Sequence, residues 1–345
     1  MKTALLFILL ITSPLLFAQT TAIPDPNFEQ ALIDLGHDDV LDGQVLTAKI
    51  DTLIYLNVSG KNISDLTGIS DFLSLELLNC NHNLLTSLDL SQNMSLLRLF
   101  CQNNGISDIN LGNLPLLFRL YCDNNLLTDI NLTGLPELYH FQINNNPLVV
   151  LDLSLNESLG NLFIQNTQLT QLNLPNNYNL MSLNCNNNSQ LIQIDLQNNY
   201  NLEGLSCSNI PQLTMLDLQY NDNLTSLTCN DNGLLECLNI SNGNQSLMTS
   251  LSVINNPNLT CVEVDNEIWA LMEGWADYVD SQITFSEDCD NPCSTSNAGL
   301  GVLNTTPKTL VQILDLMGRE TSFKPNTTLI YVYDDGSIEK VFSVE

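Results

Sequence analysis

From Leu75 onward the chain repeats itself. The pattern Leu-x-x-Leu-x-Cys-x-x-Asn-x-Leu-x-x-Leu-x-Leu-x-x-Asn-x-x runs once and then begins again. The position held by cysteine in that formula, the marker, is occupied in turn by Val58, Cys80, Cys101, Cys122, Ile143, Ile164, Cys185, Cys207, Cys229 and Val253. Successive steps are 22 residues, then 21 five times, then 22, 22 and 24. Ten matches at nearly constant spacing are not a chance alignment, and a period of this length signals a stack of like coils. Leu-x-Cys and Leu-x-Leu place two apolar side chains on one side of an extended strand. One coil cannot bury them alone, whereas stacked coils can, with their backbones paired along the stack. At about 4.8 Å per paired strand, ten coils form a body roughly 45 Å long. Each coil carries two such triplets, for example Leu78-Asn79-Cys80 and Leu88-Asp89-Leu90. The first is expected to build a regular inner sheet, the second a shorter or irregular one. Little helical periodicity separates them, so the array should be poor in helix.

Six cysteines, Cys80, Cys101, Cys122, Cys185, Cys207 and Cys229, occupy the inward marker, where valine and isoleucine alternate with them. In that position cysteine acts as a small apolar residue. A column of single thiols offers no compact set of metal ligands, and inward geometry is wrong for bridging neighbours. Three residues beyond the marker stands asparagine: Asn83, Asn104, Asn125, Asn146, Asn188, Asn232 and Asn256. A buried asparagine there can bond the backbone groups that a bend leaves unpaired. Thr167 and Ile210 interrupt this ladder, so their coils are expected to be looser.

Lysine and arginine total 9 against 38 acidic residues, a formal charge of −29, which argues against nucleic acid and anionic membrane as partners. Residues 1–18 read as a targeting segment: Lys2 is the positive start, Leu5 to Phe17 the apolar stretch and Ala18 the cleavage site. No second stretch of that kind follows, so no transmembrane anchor is expected.

The opening Ile-Pro-Asp-Pro-Asn-Phe-Glu-Gln-Ala-Leu-Ile-Asp-Leu-Gly at 23–36 and the following Val-Ser-Gly-Lys-Asn-Ile-Ser-Asp-Leu-Thr-Gly-Ile at 58–69 resemble, together with the repeat, the leucine-rich-repeat proteins exported by marine Bacteroidetes-type bacteria. The residues agree: Asp25 can cap a helix with Pro26 at its first position, and Phe28, Leu32 and Leu35 would then cover the end of the apolar stack. At the other end, Thr309 to Asp315 reads as a strand, Leu316-Met317-Gly318-Arg319 as a turn, Leu329 to Tyr333 as a strand, and Asp335-Gly336 as a hairpin before Ile338 to Val344. With Lys324-Pro325-Asn326-Thr327, this tail resembles the type A C-terminal sorting domain of the type IX secretion system. That resemblance implies the secretion machinery as a partner and passage across the outer membrane, leaving the protein secreted or on the outer cell surface. The expected division is a signal peptide at 1–18, an N-terminal cap at 23–52, the repeat array at 53–265, a C-terminal cap at 266–293, a linker at 294–301 and the sorting domain at 302–345.

The remaining cysteines, Cys237, Cys261, Cys289 and Cys293, are disulfide candidates in an exported chain. Cys237 and Cys261 fall at equivalent outward positions of adjacent coils and could bridge one another. The competing pairing is Cys261 with Cys289, and spacing alone does not choose.

Between Lys61 and Lys308 the only lysines or arginines are Arg98 and Arg119. They share one outward column, Leu77, Arg98, Arg119, His140, Asn161, Ser182, beside a second, Asn79, Phe100, Tyr121, Gln142, Phe163, Asn184. Arg98, Phe100, Arg119, Tyr121, His140 and Phe163 are therefore the candidate ligand patch. Guanidinium forks suit carboxylate or sulfate, and aromatic rings suit sugar faces and protein hot spots. The bland alternative is a set of strand-favouring residues with Asp123 as local counter-charge. A further column on the second half-coil, from Asp89 through Asp195 and Asp217 to Glu263, makes Asp195 and Asp217 the only weak metal candidates, for calcium. Turn chemistry is the preferred reading there, with no cofactor. His37, His82 and His140 stand beside no nucleophile motif and show no ligand spacing, so the expectation is a non-catalytic recognition or adhesion protein binding a protein or glycan. The alternatives are a surface-layer spacer and an accessory to polysaccharide degradation.

Overall fold

The computed structural model describes residues 19–290, Cys293, 310–314, Thr321, 327–333 and 338–343. The leader expected over 1–18, the linker over 294–301 and the turns at 316–319 and 335–336 lie outside the described residues. The chain divides into two units, Met1–Ser294 and Thr295–Glu345.

The first unit is a leucine-rich-repeat β-solenoid. Its main sheet has ten strands: Tyr55–Asn57, Leu77–Asn79, Arg98–Phe100, Arg119–Tyr121, His140–Gln142, Asn161–Phe163, Ser182–Asn184, Gly204–Ser206, Ser226–Thr228 and Ser250–Ser252. All pair in parallel, in order of sequence and without slippage, so each marker triplet lies beside its counterpart in the next coil. The second triplets make only short sheets: Ser87–Asp89 with Asp108–Asn110, Gln171–Asn173 with Gln193–Asp195, and a four-stranded group of Met215–Asp217, Cys237–Asn239, Cys261–Glu263 and Thr284–Ser286. Between the two lies one continuous core. In a single coil Leu78, Cys80, Leu85, Leu88 and Leu90 are all buried, and each leucine contributes roughly 1.5–3 kcal/mol by leaving water.

Two devices bend the chain out of the main strand. The residue two beyond the marker is left-handed in every coil from the second onward: His82, Asn103, Asn124, Asn145, Asn166, Asn187, Asn209, Asp231 and Asn255 all have φ between 54° and 61°. Asparagine, aspartate and histidine are the non-glycine residues that tolerate this region best. The next residue is the ladder asparagine. Asn125 Nδ2 donates to the carbonyls of Cys101 (3.1 Å) and Cys122 (3.0 Å), while its Oδ1 accepts from the backbone N–H of Ile106 (3.0 Å). The marker carbonyls of Cys80, Cys101 and Cys122 thus each accept from two asparagines, one on their own coil and one on the next; Cys101 O accepts from Asn104 (3.0 Å) as well as Asn125. Where Thr167 and Ile210 interrupt the ladder the following asparagine reaches back: Thr167 donates its N–H and hydroxyl to Asn188 Oδ1, and the Ile210 N–H donates to Asn232 Oδ1, while the preceding marker carbonyls Ile143 and Cys185 each keep a single asparagine donor.

A second asparagine ladder, at the last conserved position of the repeat, holds the opposite bend. Asn93, Asn156, Asn177, Asn199 and Asn221 are fully or almost fully buried. Each donates Nδ2 to two backbone carbonyls of preceding turns, as Asn156 does to Leu132 O and Leu135 O.

The N-terminal end is closed by the helix Pro26–Asp34. Asp25 Oδ1 caps it by accepting from the N–H of Asn27 and Phe28, and its Oδ2 accepts from Ser64 and Asp65 in the first coil. Phe28, Ala31 and Leu32 are buried against the stack, but Leu35 is 45% exposed. The helix has already ended at Asp34, and the left-handed turn at Gly36 carries Leu35 off the covering face. At the other end Val279 bridges Val253, and Thr284–Ser286 pairs with Cys261–Glu263. Trp269, Trp275 and Phe285 pack edge to face over the last coil.

Of the two pairings left open for Cys261, the bridge to Cys237 does not form and the bridge to Cys289 does. Cys261 joins Cys289 and Cys237 joins Cys293, with Cα separations of 5.8 and 5.7 Å. Neighbouring parallel strands hold their Cβ vectors side by side and not converging, the wrong arrangement for a disulfide. The segment that follows can present a sulfur to each, and Cys237, which alternates with the inward Leu238 and so faces outward, is buried beneath its partner Cys293. The second unit contributes Leu310–Leu314, Thr327–Tyr333 and Ile338–Ser343 as a three-stranded antiparallel sheet.

Candidate functional site

Exact strand register turns sequence columns into rows of side chains on the outer face of the ten-stranded sheet. Arg98 lies opposite Arg119, and Arg119 opposite His140; Phe100 lies opposite Tyr121, Tyr121 opposite Gln142 and Gln142 opposite Phe163. All six candidate residues are exposed or half-buried, whereas the alternating Leu99, Leu120, Phe141 and Leu162 are buried. Phe100 and Tyr121 meet edge to face, ring centroids 5.2 Å apart.

Two like charges in register need some compensation. It does not come from Asp123. That carboxylate is held by the backbone N–H and the side-chain amide of Asn144 at 2.8 and 2.6 Å, and burial raises its pKa above the usual aspartate range despite those bonds. Among the described residues the ion pair formed is Lys61 with Asp34, far from this face. The compensation comes from Phe118. Its ring lies under both guanidinium groups, with centroid distances of 5.2 Å from Arg98 and 5.5 Å from Arg119, within cation–π range. Arg119 Nε is buried and has no hydrogen-bond partner. His140 is held below the usual histidine range, first by burial and then by Arg119.

Phe118 and Tyr139 belong to this face and were missed by the columns. They stand one residue before the outward triplet, in a row that runs Leu97, Phe118, Tyr139, Gly160, Met181. Tyr139 contacts His140 edge to face at 4.8 Å, and its hydroxyl reaches Met181 Sδ at 3.3 Å across the intervening coil. Gly160 is what permits that reach, since a Cβ there would lie 2.2 Å from the tyrosine ring. The signal available in the sequence was the aromatic pair in a row otherwise holding leucine, glycine and methionine.

On the other side of Phe100 and Tyr121 the face ends in a polar groove of about 350 Å³, lined by His82, Gln102, Asn103, Asp123, Asn144 and Asn145 among others. Left-handed residues form its rim and bond to one another: Asn145 Nδ2 donates to Asn124 Oδ1, and Asn166 Nδ2 to Asn145 Oδ1. Gln102 Oε1 is a buried acceptor without a partner.

The weak metal candidates are engaged otherwise. Asp195 and Asp217 lie in different short sheets. Each closes a turn by accepting the backbone N–H two residues on, from Gln197 and Gln219 respectively, and each takes the glutamine side chain as well. Asp89, Asn110, Asn131, Asp152 and Asn239 do the same along their column. Among the described residues no cluster of three or more histidine, cysteine, aspartate or glutamate side chains could hold a metal, and no helix is long and apolar enough to cross a membrane.

No family model and no curated protein matches the chain. Several solved structures are similar to it. The functional domain of InlJ from Listeria monocytogenes, which includes a cysteine ladder, is 18% identical, with 95% of this chain and 99% of that one covered and a TM-score of 0.36. The internalin InlF from Listeria monocytogenes is 18% identical over 77% of this chain and 91% of its own, with a TM-score of 0.45. Internalin C2 from the same organism is 19% identical over 72% and 98%, with a TM-score of 0.43. At these identities and scores the likeness carries no statement about ligand or partner.

Proposed function

We propose that the chain is an exported, non-catalytic recognition protein that binds a protein or glycan through the face built on Arg98, Phe100, Arg119, Tyr121, His140 and Phe163, extended by Phe118 and Tyr139. One observation carries this reading: the only two arginines of the array stand in register with no acidic partner, stacked on Phe118, with Arg119 Nε left without an acceptor. Buried polar hydrogens without partners are disfavoured unless something supplies the acceptor, and guanidinium groups beside aromatic rings are the residue types richest in interface hot spots. The leader-like 1–18 and the resemblance of the tail to a type IX sorting domain support export to the outside of the cell with that machinery as a partner.

The other half of the array favours a different role. From Ser182 onward the outward positions hold serine, glycine, asparagine and threonine: Ser182, Asn184, Gly204, Ser206, Ser226 and Thr228. That surface offers no anchor side chain, and a spacer role fits those coils.

The test is a glycan and surface-protein array probed with the full chain and with Arg98→Ser/Arg119→Ser. The expected result is a small set of partners retained by the wild type and lost by the variant. Partners that bind both forms equally would remove the face from the account.

A further inference from the structure

We infer that the ligand of this face is an anionic saccharide, a uronate or sulfated sugar, laid along the strand direction with its anionic group on Arg98 and Arg119 and its hydroxyls in the groove at Gln102, Asp123 and Asn144. This rests on the reading of the face as a recognition surface. The two ends of the face make opposite demands. Arg98 and Arg119 present only donors and call for an acceptor. In the groove Asp123 Oδ1 already takes two donors from Asn144, whereas Gln102 Oε1 is a buried acceptor with nothing bonded to it and calls for a donor. Residues 98, 100 and 102, like 119, 121 and 123, alternate onto one side of the strand, so the two ends lie about 13 Å apart. A single ligand satisfying both must be anionic at one end and rich in hydroxyl hydrogens at the other.

Between them lie Phe100 and Tyr121, half-buried and in edge contact, an arrangement that sandwiches neither ring. An aromatic face of this kind takes the C–H face of a pyranose. Asn144 and Asn145 put amide groups, which both donate and accept, beside the carboxylate, and a sugar hydroxyl does both as well. An acidic peptide would satisfy the arginines but would bring carboxylates and carbonyl oxygens toward Asp123, where like charge is unfavourable. The chain's charge of −29 also disfavours a uniformly charged polymer on the surrounding surface, so a singly charged sugar in a largely neutral oligosaccharide fits best.

Calorimetric titration of the full chain tests this with four probes: an aldotetraouronic acid carrying one glucuronate on xylotriose, a monosulfated neocarratetraose, neutral xylotetraose, and a hexapeptide carrying two glutamates. At least one anionic tetrasaccharide should bind roughly tenfold or more tighter than xylotetraose. Arg98→Ser/Arg119→Ser should reduce it to the neutral level. Gln102→Ala should weaken it by roughly fivefold with an unchanged melting temperature, since it removes an acceptor that nothing in the protein uses. The assignment is overturned if neither anionic sugar binds, if either binds the double-serine variant as well as wild type, or if only the peptide binds in an arginine-dependent way. In the last case, or if array partners depend on the arginines while the sugars do not bind, the recognition face stands and the saccharide falls. If every array partner and every probe ignores the arginines, both fall.

Discussion

Removing two neighbouring ladder asparagines should destabilise the array by more than the sum of the single losses. Cys101 O accepts from Asn104 at 3.0 Å and from Asn125 at 3.1 Å. Asn125→Ala alone leaves that carbonyl with Asn104, leaves Cys122 O with Asn146, and strands only the Ile106 N–H. One buried donor without a partner costs about 1–3 kcal/mol, and each bond lost from a carbonyl that keeps its other partner costs less, so the single variant should lose about 3 kcal/mol. Asn104→Ala behaves alike, stranding the Leu85 N–H. In the double variant Cys101 O loses both partners inside the bend, which adds a coupling of about 1–2 kcal/mol beyond additivity. Asn83 and Asn125 share no carbonyl, since Asn83 serves Val58 O and Cys80 O, and that pair should add to within about 0.5 kcal/mol. Guanidinium denaturation of the three single and two double variants, followed by far-ultraviolet circular dichroism and by hydrogen exchange of the 80–125 region, measures both cycles. Equal coupling in the 104/125 and 83/125 pairs would refute the shared-carbonyl account.

Three further outcomes follow from the structure. Asn124→Ala should lose roughly 1 kcal/mol because its φ of 55° is strained for a Cβ-bearing residue without a local polar side chain, whereas Asn124→Gly should stay within a few tenths; thermal melts compare them. The six marker cysteines should resist iodoacetamide in the folded protein and react only on unfolding, because all six are buried and burial pushes the Cys80 thiol up to about 12 and those of Cys101, Cys122 and Cys185 up as well; mass spectrometry of alkylated peptides reads this directly. Asp123 is raised above its unfolded value by burial. Its native form therefore holds its proton longer, and the stability tied to this group is greatest in acid and declines as pH rises through the native value. Asp123→Asn should flatten that decline, raising the melting temperature at neutral pH relative to wild type but not below pH about 3.8, where both forms are uncharged.

How much of this was legible depended on whether a residue's task repeats. The marker column, the outward columns and the first asparagine ladder were readable because each coil restates them, and Arg98 and Arg119 could be placed side by side from spacing alone. The second ladder, at Asn93, Asn156, Asn177, Asn199 and Asn221, was present in the repeat formula, but nothing in spacing says that an asparagine between apolar residues points inward. Phe118 was missed for the opposite reason. It occurs once, just outside the strand triplet, and the cation–π contacts that make it matter exist only after the chain bends. Asp123 was misassigned because proximity in sequence suggested a charge pair, whereas Asn144 in the next coil satisfies that carboxylate first. The disulfide partners depended on the path of the strap from 267 to 293, which breaks the period and so carries no register to read.

The doubly held marker carbonyls also bear on how the arginines meet a ligand. Cys101 O, clamped by one asparagine of its own coil and one of the next, ties those two coils together beyond their strand pairing, so the distance between Arg98 and Arg119 is set by the scaffold before anything arrives. A ligand that matches this preorganised gap orders little of the protein when it docks, and one whose charges are spaced differently finds a surface that cannot breathe to meet it. Selectivity on such a face would come from stiffness as much as from contact.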